Sequence, residues 1–181
     1  MSEAVVAAMT RAPAGARALA ATTASAMREA LLAEQGSADA VIMAAAVADF
    51  RPDATSATKI KKSDDHEPEP IRLVRNPDIL VELVSRRPEG QVVVGFAAET
   101  ASSDEELLAL ARAKAARKGC DLLVVNDVGG GRVFGRDDTT VRVLAAGGEV
   151  LAEVSGGKSG AADAVLDEVA KLLPPLTRSH G

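Results

Sequence analysis

The stretch VVVGFAAET, residues 92–100, decides the fold class of this 181-residue chain. Its first residues are apolar without alternation, which is typical of a strand that is buried on both faces. The runs AVIMAAAV at 40–47 and DLLVV at 121–125 have the same character. Because helical segments separate these runs, the pattern predicts an α/β domain with a mainly parallel sheet and helices on both faces. A hairpin over 139–154 is predicted near the C-terminus.

Turn and capping residues set the expected boundaries. Residues 1–15, with Pro13 and Gly15 as breakers, are expected to be a disordered or tag-like tail, and 175–181 a second tail. An S-x-x-E capping box begins a helix at Ser103, which Gly119 is expected to end. The predicted helix N-caps are Thr22 or Thr23, Asn76, Ser103, and Ser159 or a neighbour.

Composition excludes several classes of protein. The net charge of −5 disfavours general nucleic-acid binding, and no apolar run reaches membrane-spanning length. Glu3 occupies a position that is basic in signal peptides. Cys120 is the single cysteine, so an intramolecular disulfide and a multi-cysteine metal site are excluded. We therefore expect a cytoplasmic protein with neither nucleic-acid nor membrane partners.

Polar residues follow the predicted strands, where parallel sheets usually bind ligands. Asp49 is compatible with a site for a divalent cation that bridges phosphates, with a bond to a ligand hydroxyl, or with a simple strand-ending turn. Helix capping alone explains Asn76-Pro77-Asp78. These residues indicate where a ligand would bind without identifying it.

Lysine is scarce and clustered in this chain, with seven Lys against fourteen Arg. One cluster is Lys59, Lys61 and Lys62, in a predicted loop over 49–70; the other is Lys114 and Lys118, which are four residues apart on a predicted helix. A solvated loop and a favourable helix-dipole interaction are the simpler explanations. Phosphate binding, with a compact charge placed near developing negative charge, is the alternative.

The common nucleotide motifs are absent or incomplete. The sequence contains no G-x-G-x-x-G, which argues against a dinucleotide dehydrogenase. The glycine-rich segment 128–132 is not followed by a helical pattern, so it is a poor phosphate-binding loop. Residue chemistry alone therefore predicts a parallel α/β domain with an anion or nucleotide site.

Six segments in order resemble the bacterial phosphopantothenoylcysteine synthetase domain, usually the C-terminal half of a bifunctional coenzyme A biosynthesis protein: AAAVADFRP, KIKK, NPDIL, VVGFAAET, ARAKAARKGCDLLVVNDV and FGRDDTTVRVL. The resemblance implies a Rossmann-like synthetase domain over 16–174 that forms a homodimer. It also implies ligation of 4′-phosphopantothenate to cysteine with CTP and Mg²⁺, through an acyl-cytidylate intermediate. No flavin is expected on this chain.

The same resemblance implies a set of site residues. Lys59 would be the principal catalytic lysine, and Asp49 would be the metal ligand. The nucleotide would be bound by residues from the strand ends, the helix start and the lysine clusters: Met43, Ala44, Ala45, Asp49, Lys59, Asn76, Pro77, Asp78, Ile79, Phe96, Lys114 and Lys118.

One departure concerns the beginning of the domain. The family domain starts with a strand and a glycine- and serine-rich phosphate loop whose Asn acts on the acyl intermediate, and nothing similar precedes residue 16. We therefore expect an N-terminally truncated sheet and little turnover by this chain alone. The alternative is a non-catalytic nucleotide-binding or dimerisation module of the same fold, and a third hypothesis is a sugar-nucleotide or dinucleotide enzyme.

Overall fold

The computed structural model describes residues 3–7, 14–54, 58, 70–127 and 138–174. Within these residues, nine strands and four helices follow one another: β1 (Glu3–Ala7), β2 (Ala16–Ala20), α1 (Ala24–Gln35), β3 (Ala40–Met43), β4 (Phe50–Pro52), β5 (Leu73–Arg75), α2 (Ile79–Arg86), β6 (Val92–Glu99), α3 (Asp104–Lys118), β7 (Leu122–Asp127), β8 (Asp138–Ala145), β9 (Val150–Gly157) and α4 (Lys158–Leu172).

A five-stranded sheet in the order β3-β6-β7-β8-β9 forms the centre of the fold. β3, β6 and β7 are parallel, whereas β8 and β9 extend the sheet as an antiparallel hairpin. Helices connect the parallel strands, because such strands require a crossover. This architecture confirms the predicted Rossmann-like α/β fold and the C-terminal hairpin.

The two faces of the sheet bury separate apolar clusters. Val93, Leu123 and Leu144 pack with residues of α2 and α3 on one face. Val94 and Val124 pack with α4 on the other face. Consecutive residues of a strand point to opposite faces, so the unbroken apolar runs of β6 and β7 supply both clusters. Helices therefore cover both faces of these strands, and the carboxyl ends of the strands lie at one end of the sheet.

The prediction that residues 1–15 form an irregular tail was wrong for residues 3–7. These residues form β1, which pairs in parallel with β2 in a separate two-stranded sheet, with Glu3 opposite Ala16. Only five residues long, the strand gives a weak local signal. Its partner is more than ten residues away, so the pairing depends on contacts that no short pattern contains.

The strand predicted over 40–47 ends at Met43. It is also not buried on both faces, because β3 is the edge of the five-stranded sheet and Ile42 remains 40% exposed. An apolar run does not distinguish an edge strand, which has one neighbouring strand and is partly exposed, from a central strand. The alanine run that follows is irregular backbone.

The predicted helix starts were partly right. Thr23 and Ser103 are the N-caps of α1 and α3, and their hydroxyls accept N–H groups of the first turn. Asp78, and not Asn76, is the N-cap of α2. α4 follows Gly157 directly and has no side-chain cap, so Ser159 lies inside it.

Candidate functional site

The carboxyl end of β3, where a nucleotide is predicted to bind, leads into exposed alanines. Ala44 and Ala45 are exposed, and the Val47 N–H donates to the Ala45 carbonyl at 3.1 Å in a tight turn. Met43 pairs with Gly95 of β6, so the turn leaves the sheet beside the carboxyl half of β6. Small side chains leave these peptide groups open to a ligand.

Asn76 connects this turn to the segment before α2. Its backbone N–H donates to the Asp49 carbonyl, and its Nδ2 donates to the Ala48 carbonyl, both at 2.8 Å. Its Oδ1 accepts from Arg51 Nη1 at 3.2 Å. These bonds explain why Asn76 does not cap the helix. The Asp49 carboxylate is exposed beside this junction.

Asp78 and Ile79 form the start of α2 with different exposures. Asp78 Oδ1 accepts the Val81 N–H at 3.3 Å, while Pro77 before it is exposed. The Ile79 side chain is 2% exposed and packs with Val41. Only the backbone of Ile79 is therefore available to a ligand.

Two lysines of α3 form ion pairs with acids of other elements. Lys118 Nζ donates to Asp78 Oδ2 at 2.5 Å, and Lys114 forms an ion pair with Glu99 at the end of β6. Side chains on a helix lean towards its N-terminus, which brings both ammonium groups towards the carboxyl ends of the strands. The structure thus joins two predicted site residues, Asp78 and Lys118, in direct contact.

The charge state of Asp78 follows from this contact. Partial burial opposes ionisation of its carboxyl group, but the hydrogen bonds from Lys118 and from the Val81 N–H outweigh that effect and lower its pKa. An ionised carboxylate therefore faces an ammonium group at the start of α2.

Phe96 lies on the opposite face of the sheet from α3. It shares a face with Val92 and Val94, which pack with α4, and it is 39% exposed. Its backbone lies one residue beyond the pair formed by Gly95 and Met43, the last residue of β3. The predicted residues are thus distributed around the strand ends and not on one surface.

An open cavity of about 310 Å³ adjoins Asn76 and Pro77. Its other lining residues, which the sequence analysis missed, are Ser25, Arg28, Arg51 and Glu82. Arg28 donates two 2.5 Å hydrogen bonds to Glu82, so much of its charge is satisfied. This pairing joins residues 54 positions apart, and no local pattern indicates it.

Several predicted residues cannot be placed. Lys59, Lys61 and Lys62, and the glycine-rich segment 128–132, lie outside the described residues. Glu99, which the sequence analysis did not single out, pairs with Lys114. Its sequence signal was its position after the apolar run 92–98.

Among the described side chains, no group of three or more His, Cys, Asp or Glu is arranged to hold a metal ion. None of the helices within the described ranges has the length and hydropathy of a membrane span.

Comparisons with known proteins agree with the fold and with the motifs. The chain is 43% identical over 166 residues to the coenzyme A biosynthesis bifunctional protein CoaBC of Mycolicibacterium smegmatis, covering 89% of this chain and 40% of that protein. It is 33% identical over 162 residues to the corresponding protein of Vibrio parahaemolyticus, covering 89% of this chain and 39% of that protein. The chain thus spans about two fifths of the length of these relatives.

Solved structures show the same architecture. The crystal structure of the C-terminal domain of a coenzyme A biosynthesis bifunctional protein CoaBC superimposes with a TM-score of 0.70 at 25% identity, covering 93% of this chain and 73% of that one. The DNA/pantothenate metabolism flavoprotein from Streptococcus pneumoniae has a TM-score of 0.72 at 15% identity, covering 89% and 75%. The second likeness concerns the fold alone.

The family described as the DNA/pantothenate metabolism flavoprotein C-terminal domain matches residues 3–173. This match includes β1, which the sequence analysis had placed in a tail, and all later elements. With the resemblance of the six segments confirmed in this way, the chain belongs to the DNA/pantothenate metabolism flavoprotein C-terminal domain family.

Proposed function

We propose that this chain is a phosphopantothenate–cysteine ligase domain of coenzyme A biosynthesis. It would activate the carboxylate of 4′-phosphopantothenate with CTP and transfer the acyl group from an acyl-cytidylate to cysteine. The observation that carries the proposal is the pairing of Lys118 with Asp78 at the start of α2 and of Lys114 with Glu99 at the carboxyl end of β6, the strand next to β3 and its exposed Ala44 and Ala45. The similarity to coenzyme A biosynthesis proteins supports it.

The chemistry fits these groups. A carboxylate is a poor electrophile until one oxygen becomes part of a good leaving group, and activation by a nucleoside triphosphate releases pyrophosphate. Cations at the strand ends would offset the charge of the phosphates, and the exposed peptide groups would orient the base. Pre-organised charges of this kind act most strongly on the transition state.

Mg²⁺ is compatible with the residues present. Magnesium is commonly held by one or two carboxylates together with waters and substrate phosphates, so it does not require an all-protein cage. The exposed Asp49 carboxylate at the strand end would supply one such ligand. The ion would neutralise phosphate charge when it is bound.

The role proposed for Lys59 is tested by Lys59→Gln, with Lys61→Gln and Lys62→Gln as matched controls from the same segment. Gln keeps most of the stem but removes the cation, so in a protein that includes the family's glycine- and serine-rich loop turnover should fall about 10²–10³-fold while CTP binding changes little. The measurement is pyrophosphate release at saturating CTP. Similar small effects at all three positions would indicate a diffuse basic patch and remove the special role of Lys59.

Nucleotide preference and product formation separate the two principal hypotheses. Thermal shifts with an extrinsic dye, needed because the chain has no Trp or Tyr, should be larger for CTP with Mg²⁺ than for ATP or NAD. Mass spectrometry should then detect phosphopantothenoylcysteine and CMP from a protein extended by the family's glycine- and serine-rich loop, and little of either from this chain alone. CTP binding without product in the extended protein would favour a non-catalytic nucleotide-binding module, and a larger shift with NAD would contradict the CTP assignment.

We also propose that the protein acts as a cytoplasmic homodimer. The antiparallel pair β4–β5 exposes apolar side chains, with Phe50 52%, Ile71 72% and Leu73 58% exposed in or beside it. An apolar ribbon of this kind favours self-association. Light scattering coupled to size-exclusion chromatography should give twice the chain mass, and Leu73→Asp should reduce it; a monomeric wild-type protein would contradict the proposal.

A further inference from the structure

The two lysines of α3 are already paired with acids before any ligand is considered. Lys118 contacts Asp78 at the start of α2, and Lys114 contacts Glu99 at the end of β6. The acids come from two different elements, and each lysine has its own partner. The two cations that would bind phosphates are therefore largely neutralised in this structure.

Both ion pairs are partly buried, and they are buried to different extents. The side chains of Lys114 and Glu99 are 26% and 18% exposed, and those of Lys118 and Asp78 are 18% and 48% exposed. Charges that are partly shielded from water and salt interact more strongly than fully solvated pairs. Glu99 should therefore act more strongly on its lysine than Asp78 does.

A lysine ammonium has three N–H donors, so it can bind a phosphate oxygen without releasing its carboxylate. The incoming anion nevertheless meets the carboxylate as well as the ammonium group. Like charges a few ångströms apart repel each other appreciably at the effective dielectric of a protein surface. Each acid therefore reduces the attraction between the site and a polyphosphate.

We propose that Glu99 and Asp78 are built-in counterions that compete with a polyphosphate for Lys114 and Lys118 and so limit its affinity. The assignment deepens the proposed function and rests on it, since the polyphosphate would be that of CTP or the released pyrophosphate. Without such competition, an open cluster of cations would hold the pyrophosphate product strongly. Glu99 and Asp78 thus lower the affinity both by pairing with the lysines and by repelling the anion.

Glu99→Gln and Asp78→Asn test the proposal, because each removes the charge and keeps the shape. Asn is also a good N-cap, so the second variant retains the cap of α2. The probes are inorganic tripolyphosphate and CTP, each with Mg²⁺, measured by titration calorimetry on the full chain. Affinity for tripolyphosphate should rise about three- to tenfold in Glu99→Gln and less in Asp78→Asn, with a smaller gain at high salt.

Glu153→Gln is the matched control. Glu153 pairs with Arg142 at 2.6 Å in the β8–β9 hairpin, so the variant changes net charge equally without touching either lysine. It should leave affinity unchanged. In addition, the effect of Glu99→Gln should differ in a Lys114→Met background, because the carboxylate there meets the anion without its ammonium partner and the two substitutions are therefore non-additive.

The outcomes are distinct. Weaker or unchanged binding in both folded variants would indicate that the acids merely hold the lysines in place, and would overturn the proposal. Equal tightening by Glu153→Gln, or failure of tripolyphosphate to bind any of the proteins, would also overturn it. If tripolyphosphate binds as expected but CTP does not, the proposed function fails while the counterion role stands. If Glu99→Gln does not fold, Asp78→Asn still shows whether removing an acid raises or lowers the affinity for tripolyphosphate.

Discussion

The paired strands β6 and β7 differ sharply from the paired strands β4 and β5. Residues 92–95 and 122–125 are all buried, whereas every residue of β4 is exposed, as are two of the three in β5. Both pairs contain branched and aromatic side chains of high strand propensity. The difference shows that residue composition favours strand formation, whereas the packing of neighbouring elements determines whether a strand is buried in the core or exposed at the surface.

The energetic consequence follows from burial. Apolar area removed from water stabilises the folded state by about 25 cal/mol per Å², and a tightly packed site adds a cavity term when it is emptied. β6 and β7 are covered by helices on both faces, so their side chains carry both terms. The β4–β5 pair carries little of either, and it is therefore free to serve binding or association.

The largest expected effect comes from Leu123→Ala, compared with Leu73→Ala. Leu123 in β7 is 1% exposed and Leu73 in β5 is 58% exposed. The free energy of unfolding of the monomer should fall by about 2–5 kcal/mol for the first and by no more than about 0.5 kcal/mol for the second. Urea denaturation followed by far-ultraviolet circular dichroism measures both, because no Trp or Tyr fluorescence is available.

The same experiment should be repeated at two protein concentrations. If Leu73→Ala destabilised the protein as much as Leu123→Ala, and did so in a concentration-dependent way, β5 would be buried against a second copy in solution. Equal losses independent of concentration would contradict the distinction between the two strand pairs.

A second, intermediate effect is expected inside β6. A Cβ atom at Gly95 would lie 2.5 Å from Leu80 Cδ2 and 3.3 Å from Leu123 Cδ1. Gly95→Ala should therefore reduce stability by about 1–3 kcal/mol, since the two leucines must shift within a packed core. A Cβ at Gly160 in α4 meets nothing within 4 Å, so Gly160→Ala should stabilise by about 0.5–1 kcal/mol through helix propensity. A loss at Gly160 comparable to that at Gly95 would contradict the packing argument.

Local sequence pattern predicted the buried strands well and their surroundings poorly. The unbroken apolar runs of β6 and β7 determine strands buried on both faces, and the caps at Thr23 and Ser103 are local hydrogen bonds. By contrast, the pairing of β1 with β2 and the edge position of β3 depend on contacts between distant residues. An apolar run does not reveal how many neighbours it will have.

The same division applies to the candidate site. The segments that supply Asn76, Asp78 and Lys118 were identified from sequence, because the motifs and their order can be read along the chain. The partners of the two lysines, and the interaction of Asn76 with Ala48 and Asp49, arise from crossing elements. Lys59 stays a prediction, because it lies outside the described residues.

The smallest expected effect concerns Asp78, which links the segment after β5 to α3 through Lys118. The structure lowers the pKa of its carboxyl group: burial opposes ionisation, but the Lys118 and Val81 hydrogen bonds outweigh it. A carboxyl group whose pKa is lower in the folded state stabilises the fold above its ordinary pKa, and this contribution is lost as the pH falls through the folded-state value. Wild type should therefore be more stable than Asp78→Asn at neutral pH, by no more than about 1 kcal/mol because Asp78 is half-exposed.

Comparison of wild type with Asp78→Asn isolates the charge, since Asn retains the N-cap of α2. Asp78→Ala loses both the charge and the cap, so it should be less stable than Asp78→Asn by about 1 kcal/mol. The stability difference between wild type and Asp78→Asn should shrink as the pH is lowered from about 6 to about 3, because protonated Asp and Asn then resemble each other. Urea midpoints across that range provide the measurement. A difference that is constant with pH would mean that the ion pair with Lys118 adds nothing to stability, and that the segment after β5 is attached to the core by the cap and the buried Ile79 side chain alone.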